Sequence, residues 1–580
     1  MLWVRSPLPS KSATPSVDYP SMSSSDTNRF ADALLDHFRE RPGARAASFV
    51  TAAGRVDLGF ADIERDCRRF AAAYRNAGVG QGGTVLIFLR HVPELYGSFF
   101  GAMLAGHVPS LMPCTSPRQD SGLYWRSHDK LLRRIRPDAI VASDETFAEM
   151  QEAGLDLAAI HQISIDNLAA DEGGAALAPP PGEHIALLQH SSGTTGLKKG
   201  VRLSFDAIRA QVDSYAGVLS LDDEDRIVSW LPLYHDMGLI ACMITPAYLG
   251  IPVTHIDPFH WLSRPGLLLD LLDKERGTFC WLPNFAFEHL TLTAGRDAAS
   301  YELGRVRAFI NCSEPCRAST FHRFAEAFAA AGVNKNQLQC CYAMAETVFA
   351  VSQTPLGQAP RVLTVDGQLM RTEGRVADTA PGAPEALEVI ESGQVIPGLR
   401  VEIRDEGRRP LPERHVGEIA IAGEFLFDGY NADPERTAAR LENGFYHSGD
   451  LGFLADGRLY VLGRTDDLMI VNGRNIYGHE VEAEIAGIDG LKPGRAVVLA
   501  HEDTRIGSQV MIVIAERVER SARSSREIQR EIIDRIFSIF QITPRYVELV
   551  EEGWLIKTTS GKIGRSANLA KFLEARNQQG

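Results

Sequence analysis

The sequence predicts an α/β protein, with a large N-terminal domain built on parallel-rich sheets and a small C-terminal α+β domain. Three observations predict it. Helical and strand periods alternate from Arg29 onward, short strands dominate beyond Pro384, and the segment after a charged turn at Gly463–Asp467 has a strand-helix pattern of its own. A chain of 580 residues, 44% of them hydrophobic, has room for two or three such units, and this composition excludes whole-chain disorder, collagen and coiled coil.

The elements follow in order. Residues 1–27, rich in Ser and Pro and without a continuous apolar core, are expected to be a disordered extension, with Met22 as an alternative natural start. Ile63, Cys67, Phe70, Ala71 and Tyr74 fall on one helical face, Thr84–Leu89 reads as a strand, and Pro93–Ala105 as a helix. Strands are expected again at Asp138–Ala142, Ile185–Gln189 and Ile227–Trp230. The apolar run Leu239–Val253 is broken by Pro246 and Gly250 and is too short to span a bilayer, so no transmembrane segment is predicted. A Gly/Pro-rich stretch at Thr354–Pro384 interrupts the rhythm, after which Leu399–Ile403, Gly417–Ala422 and Arg458–Val461 read as strands. The small domain is expected to contain strands at Ala496–Ala500 and Val510–Ala515 and an amphipathic helix through Ile528–Phe540. These boundaries give a large domain of 28–465 and a small one of 466–580.

Charge narrows the partners. With 60 Lys+Arg against 74 Asp+Glu the net charge is −14, which argues against nucleic acid or an anionic membrane as the main partner, although a local pocket can still hold a nucleotide. The eight cysteines are scattered without a C-x-x-C pair, so they read as reduced core residues of a cytoplasmic protein.

The densest chemical signal follows the strand Ile185–Gln189, in the run His190-Ser191-Ser192-Gly193-Thr194-Thr195-Gly196-Leu197-Lys198-Lys199-Gly200, with a helix expected from about Ser204. Small residues let backbone amides close around phosphate oxygens, hydroxyls add donors, and lysines neutralise charge. The spacing is not that of a Walker loop, and a flexible Ser/Gly linker is the plainer alternative.

Further motifs follow in order: Tyr234-His235-Asp236-Met237-Gly238, Tyr342-Ala343-Met344-Ala345-Glu346, Tyr446-His447-Ser448-Gly449-Asp450, Gly463-Arg464-Thr465-Asp466-Asp467 and Lys557-Thr558-Thr559-Ser560-Gly561-Lys562. In these, the chain beyond residue 28 resembles the adenylate-forming superfamily of acyl ligases, carrier-protein adenylation domains and luciferases. The resemblance implies that ATP and Mg2+ are the cofactors and that the small domain is mobile. It also assigns roles. Tyr342 offers a flat face to adenine, flanked by Ala343 and Met344, and Glu346 offers a carboxylate to magnesium, although a Tyr and a Glu four apart are commonly just a helix-surface pair. Asp450 would accept the ribose hydroxyls, Arg464 would reach ribose or phosphate, and Asp466 would be the hinge. Ser313 and Glu314, in Cys312-Ser313-Glu314-Pro315, match the adenine wall. His235 would gate or polarise the substrate carboxylate, and Lys562 would bridge that carboxylate and the α-phosphate as charge builds there.

Within the superfamily the resemblance is closest to fatty acyl-AMP ligases, which pass the acyl group to the phosphopantetheine thiol of an acyl carrier protein. Ala345 stands before Glu346 where coenzyme A ligases usually carry Thr. Pro283-Asn284-Phe285 looks like this branch, and an insertion of about 353–384, with apolar Val362, Leu363, Val365, Leu369 and Met370, is expected to pack onto the body. Trp281, Asn284 and Phe285 are the expected acyl-pocket residues. The bulk of Trp281, where this branch usually has a smaller residue, puts a long chain in doubt. The expected activity is thus ATP-dependent conversion of a carboxylic acid to acyl-AMP and pyrophosphate, followed by loading of a carrier. An acyl-coenzyme A ligase is the alternative, and a non-catalytic acyl or nucleotide sensor lies further off.

Overall fold

A computed structural model describes residues 28–115, 121–168, 175–191, 199–471, 474–503, 508–540, 542–557 and 563–577. The expected extension 1–27 lies outside them.

The backbone of the large domain is a nine-stranded sheet whose central strands, Leu338–Ala343, Ala308–Asn311, Phe279–Leu282, Ile227–Ser229, Val253–Ile256 and Arg45–Thr51, run parallel in that spatial order. Their near-continuous apolar sequences follow from burial on both faces. A second, all-parallel sheet joins Val108–Leu111, Thr84–Phe88, Ala139–Ala142 and His161–Ser164. The alternating periods read from the sequence therefore do form parallel sheet. Ile185–Ser191 hairpins back onto Lys199–Ser204, and Ser204 then caps the helix Phe205–Leu219 by accepting from the Ala207 N–H.

Leu239–Val253 is a buried π-helical segment, Met237–Ile244, running into a short α-helix, Thr245–Leu249. Gly238 is needed there because a Cβ would lie 2.3 Å from the Pro232 carbonyl oxygen. Among the described residues no helix is long and apolar enough to cross a membrane.

An antiparallel sheet follows, with Leu399–Arg404, Gly417–Gly423, Phe445–Ala455 and Arg458–Arg464 as successive neighbours. Beyond Arg464 the chain builds a separate core around Ile476, Val481, Ile485, Val513, Ile528, Ile532 and Ile536. Its sheet of Leu491–Asp503, Ser508–Arg517 and Tyr546–Val550 is covered by the amphipathic helix Ser525–Phe540.

The Gly/Pro-rich stretch is structured. Val362–Asp366 pairs antiparallel with Ala386–Ile390, and the helix Gly367–Glu373 lies between them. Val365, Met370 and Val389 pack into one cluster with Phe453, Tyr460 and Leu462 of the antiparallel sheet and with Tyr477 beyond the charged turn. Arg371, on that helix, lies 5.6 Å from the ring centre of Phe540 at the end of Ser525–Phe540. The segment thus touches both cores.

Candidate active site

The strands Ala308–Asn311 and Leu338–Ala343 end side by side, which brings Ser313 and Tyr342 to the same carboxyl edge of the sheet, the usual ligand-binding edge of an α/β fold. Tyr342 is on a strand, and Glu346 follows in a one-turn 3-10 segment, Ala345–Thr347, so the two are not a helix-surface pair. Ala343 keeps a negative φ and needs no glycine.

The Tyr342 hydroxyl donates to Asp450 Oδ2 at 2.5 Å, and Arg464 Nε stands 3.3 Å from Asp450 Oδ1. Asp450 and Arg464 are cross-strand partners in the Phe445–Ala455 and Arg458–Arg464 hairpin, so sheet register positions the pair. Burial pushes the Asp450 carboxyl upward, while Arg464 and the Tyr342 hydroxyl pull it back. A buried acceptor beside an aromatic ring fits the ribose of a nucleotide whose base lies on Tyr342.

Glu346, only 7% exposed, accepts from the Tyr430 hydroxyl at 2.7 Å, and Lys199 Nζ lies 5.3 Å from the centre of the Tyr430 ring. Burial lowers the pKa of the Lys199 ammonium, against the pull of Glu346. Among the described residues no group of three or more His, Cys, Asp or Glu could hold a metal. A single carboxylate still suits Mg2+, which commonly takes the rest of its shell from phosphate and water.

Ser313 has φ 71, a strained value for a side-chain-bearing residue, and its Oγ is 3.9 Å from the Met237 sulfur. Glu314 accepts from the Phe285 N–H at 2.9 Å and so ties the segment Cys312–Pro315 to the start of the helix Asn284–Ala294. His235 precedes the π-helical segment, and its carbonyl accepts from the Leu239 N–H at 2.7 Å. Met344 is half-buried and accepts at its carbonyl from Thr347.

The three expected acyl-pocket residues diverge. Trp281 is fully buried in the sheet, and its indole N–H donates to the Tyr215 hydroxyl at 3.0 Å. Asn284 accepts from Asn311 Nδ2 at 2.9 Å, at the carboxyl edge. Phe285 is 39% exposed and stands edge-on, 5.9 Å from Trp230, which stacks on Trp261 at 3.7 Å.

Ser192, Gly193, Thr194, Thr195, Gly196 and Lys562 lie outside the described residues. Ser191 ends the strand Ile185–Ser191, and Asp466 sits in the 3-10 turn Thr465–Asp467. Sequence reasoning passed over Tyr430, which binds Glu346, and Lys557, whose pKa burial lowers to about 8 and whose charge lies within reach of Glu314. It also passed over Arg317, which donates to the His479 carbonyl across the two cores at 3.3 Å. Position within the Lys557–Lys562 motif was a signal for Lys557; Tyr430 and Arg317 had none, because their partners are distant in sequence.

The family model described as "AMP-binding enzyme" matches residues 34–431, more than half of the chain and most of the site described above. The chain belongs to the AMP-binding enzyme family. A relative from Caulobacter vibrioides named "Putative acyl-CoA synthetase" is 30% identical over 86% of this enzyme and 87% of its own length. The "Medium-chain-fatty-acid--[acyl-carrier-protein] ligase JamA" of Moorena producens is 27% identical over 95% of this enzyme and 96% of its own length. A solved structure from "Structural and Functional Studies of Fatty Acyl-Adenylate Ligases from E. coli and L. pneumophila" superposes with a TM-score of 0.86 and 26% identity, covering 95% of this AMP-binding enzyme and 98% of that chain. The resemblance read from the motifs and the adenylate-forming fold are both borne out.

Proposed function

We propose that this enzyme adenylates a fatty or related carboxylic acid and transfers the acyl group to the phosphopantetheine thiol of an acyl carrier protein. In the first step a carboxylate oxygen bonds to the α-phosphorus of ATP as the bond to pyrophosphate breaks. In the second the carrier thiolate adds to the acyl carbonyl and AMP leaves, taking the bonding pair. Tyr342 orients the base, Asp450 and Arg464 the ribose, and Lys199 meets phosphate charge, with Ser191, Ser192, Gly193, Thr194, Thr195 and Gly196 as the donors to phosphate that the motif implies. Glu346 would hold magnesium, which would supply neutralisation of phosphate charge. Lys562 stabilises the charge that builds between carboxylate and phosphate, His235 lines the carboxylate's entry, and rotation at Asp466 re-poses the small domain for the second step. Eight free thiols and the use of ATP suit a cytoplasmic setting.

The observation that carries the choice of acceptor is the docking of residues 362–390 against both cores, through Met370, Tyr477, Arg371 and Phe540. A segment gripping the small domain raises the cost of its rotation, and a carrier protein can offset that cost with its own binding surface where free coenzyme A has less to offer. The relative named as an acyl-CoA synthetase favours the second reading, coenzyme A as acceptor. The test is to supply ATP and a panel of acids, then compare thioester formation on coenzyme A and on a phosphopantetheinylated carrier. Carrier loading with little acyl-coenzyme A is expected. Robust acyl-coenzyme A synthesis with no carrier acylated would overturn the proposal.

A further inference from the structure

Four of the eight cysteines, Cys312, Cys316, Cys340 and Cys341, lie on or just past the adjacent strands Ala308–Asn311 and Leu338–Ala343, and all are free thiols. Register sorts them into two pairs. Successive residues on a strand face opposite sides of a sheet, so Cys340 shares the face of Tyr342 and Cys341 takes the other. Cys341 neighbours Cys312, and Cys340 neighbours Cys316.

The second pair is formed by a loop folding back on its own strand. Ser313 has φ 71, and the Cys316 thiol returns to within 3.7 Å of the Asn311 carbonyl oxygen. Asn311 stands opposite Cys340 in the parallel ladder, about 4.8 Å across, so the Cys316 sulfur lies over Cys340. The two thiols differ in access. Cys316 is half-buried, whereas Cys340 is fully buried and burial pushes its thiol well up. Cys312 and Cys341 are both buried, which shields that pair from a dissolved oxidant.

We propose that Cys316 and Cys340 are an oxidation site at which a hydroperoxide converts the two thiols to a disulfide. The Cys316 thiolate attacks a peroxide oxygen, the O–O bond breaks, and the leaving hydroxide takes a proton to become water. The Cys340 thiolate then attacks the sulfenic sulfur, the S–S bond forms, the S–O bond breaks, and a second water leaves. Two thiols lose two electrons and two protons, and hydrogen peroxide becomes two waters.

The bridge moves the loop, because Cys340 is held in place. Its N–H donates to Thr354 Oγ1 at 3.1 Å and its carbonyl accepts from the Thr354 N–H at 2.9 Å. A disulfide needs its β-carbons about 3.5 to 4.5 Å apart, and the loop is the side free to meet that demand. Drawing Cys316 inward pulls on Ser313 and on Glu314, whose carboxylate accepts from the Phe285 N–H at 2.9 Å. The effect on nucleotide binding rests on the adenylating reading above, with Ser313 and Glu314 at the adenine; the formation of the bridge does not.

The test exposes the full-length protein to hydrogen peroxide and reads intact mass, the sequences of cross-linked fragments, the Kd for ATP with Mg2+ by calorimetry, and a thermal melt. Wild type, Cys316→Ser, Cys340→Ala and Cys341→Ala are compared. Wild type is expected to lose about 2 Da with a cross-link between Cys316 and Cys340, and to bind ATP about tenfold more weakly, dithiothreitol reversing both. Folded Cys316→Ser and Cys340→Ala should form no such cross-link and keep the Kd of the reduced state, while Cys341→Ala should follow wild type. A gain of oxygen without a cross-link, or a cross-link through Cys312 or Cys341, overturns the proposal, as does an ATP Kd unchanged by complete cross-linking. If reduced wild type binds no ATP, the adenylating reading fails by itself, and the mass and the cross-link still decide the oxidation site.

Discussion

Arg371 places its guanidinium over the ring of Phe540, joining the helix Gly367–Glu373 to the last turn of the small domain's long helix. The same guanidinium pairs with Glu385 at 3.4 Å and pulls downward on the buried Glu480 carboxyl, whose pKa burial raises. One side chain therefore links the segment before the antiparallel sheet to two helices of the small domain.

If that link restrains rotation, Arg371→Ala should release it. A buried cation–π contact is worth about 1 to 2 kcal/mol, so the thioester-forming pose should gain roughly fivefold to thirtyfold in population. Acyl-coenzyme A formation should rise by that order while pyrophosphate release stays near wild type. No gain in coenzyme A ligation from a folded variant would separate Arg371 from acceptor choice.

Lys562→Ala should leave the fold intact and lower acyl-adenylate formation by about a hundredfold or more, because the charge it meets appears on the way to the transition state. Pyrophosphate release with the preferred acid measures this. Wild-type rates would remove Lys562 from the mechanism.

Asp450→Asn replaces an anionic acceptor with a half-donor beside Arg464 and the Tyr342 hydroxyl. Hydrogen bonds to charged groups contribute about 1.5 to 3 kcal/mol, so the KM for ATP should rise by roughly tenfold to a hundredfold, with the KM for the acid little changed. Equal rises for both substrates would place Asp450 outside the ribose subsite.

Asp466→Pro fixes φ in the turn Thr465–Asp467, at the junction of the two cores. Adenylate formation and thioester transfer should then respond unequally. A variant that completes both half-reactions at wild-type rates would move the hinge elsewhere.

His91 is buried among Phe49 and His255, and burial lowers its pKa to about 4 despite Asp257. Burial likewise pushes His255 well down, and its Nε2 shares a 2.9 Å hydrogen bond with the Tyr96 hydroxyl. A histidine kept neutral in the fold but protonated when unfolded contributes stability that is fully present above about pH 6.5 and lost as pH falls towards 4, by up to about 1.4 kcal/mol per pH unit for each such group. The melting temperature of wild type should therefore drop across that window. His91→Gln should show a shallower drop, and an identical slope would mean that His91 is protonated in the folded protein.

Much of the molecule was legible because local sequence carries it. Alternating periods mark parallel strands and their helices wherever both faces are buried, as in Thr84–Phe88 and Glu94–Leu104. Motifs whose residues lie within a few positions of each other carried the candidate nucleotide site, Tyr342 with Glu346 and Asp450 at the end of Tyr446–Asp450. Packing between distant segments was not legible. That Tyr430 binds Glu346, that Trp281 points into the sheet and is tied to Tyr215, and that residues 362–390 grip the small domain all depend on contacts between positions far apart in the chain. The sequence by itself determined the family, the α/β architecture and the kind of chemistry, since these follow from short-range pattern and composition. Only the tertiary structure decided that Trp281 is tied to Tyr215 and what holds the small domain, because a side chain's direction and partner are set by burial and register once the strands have met.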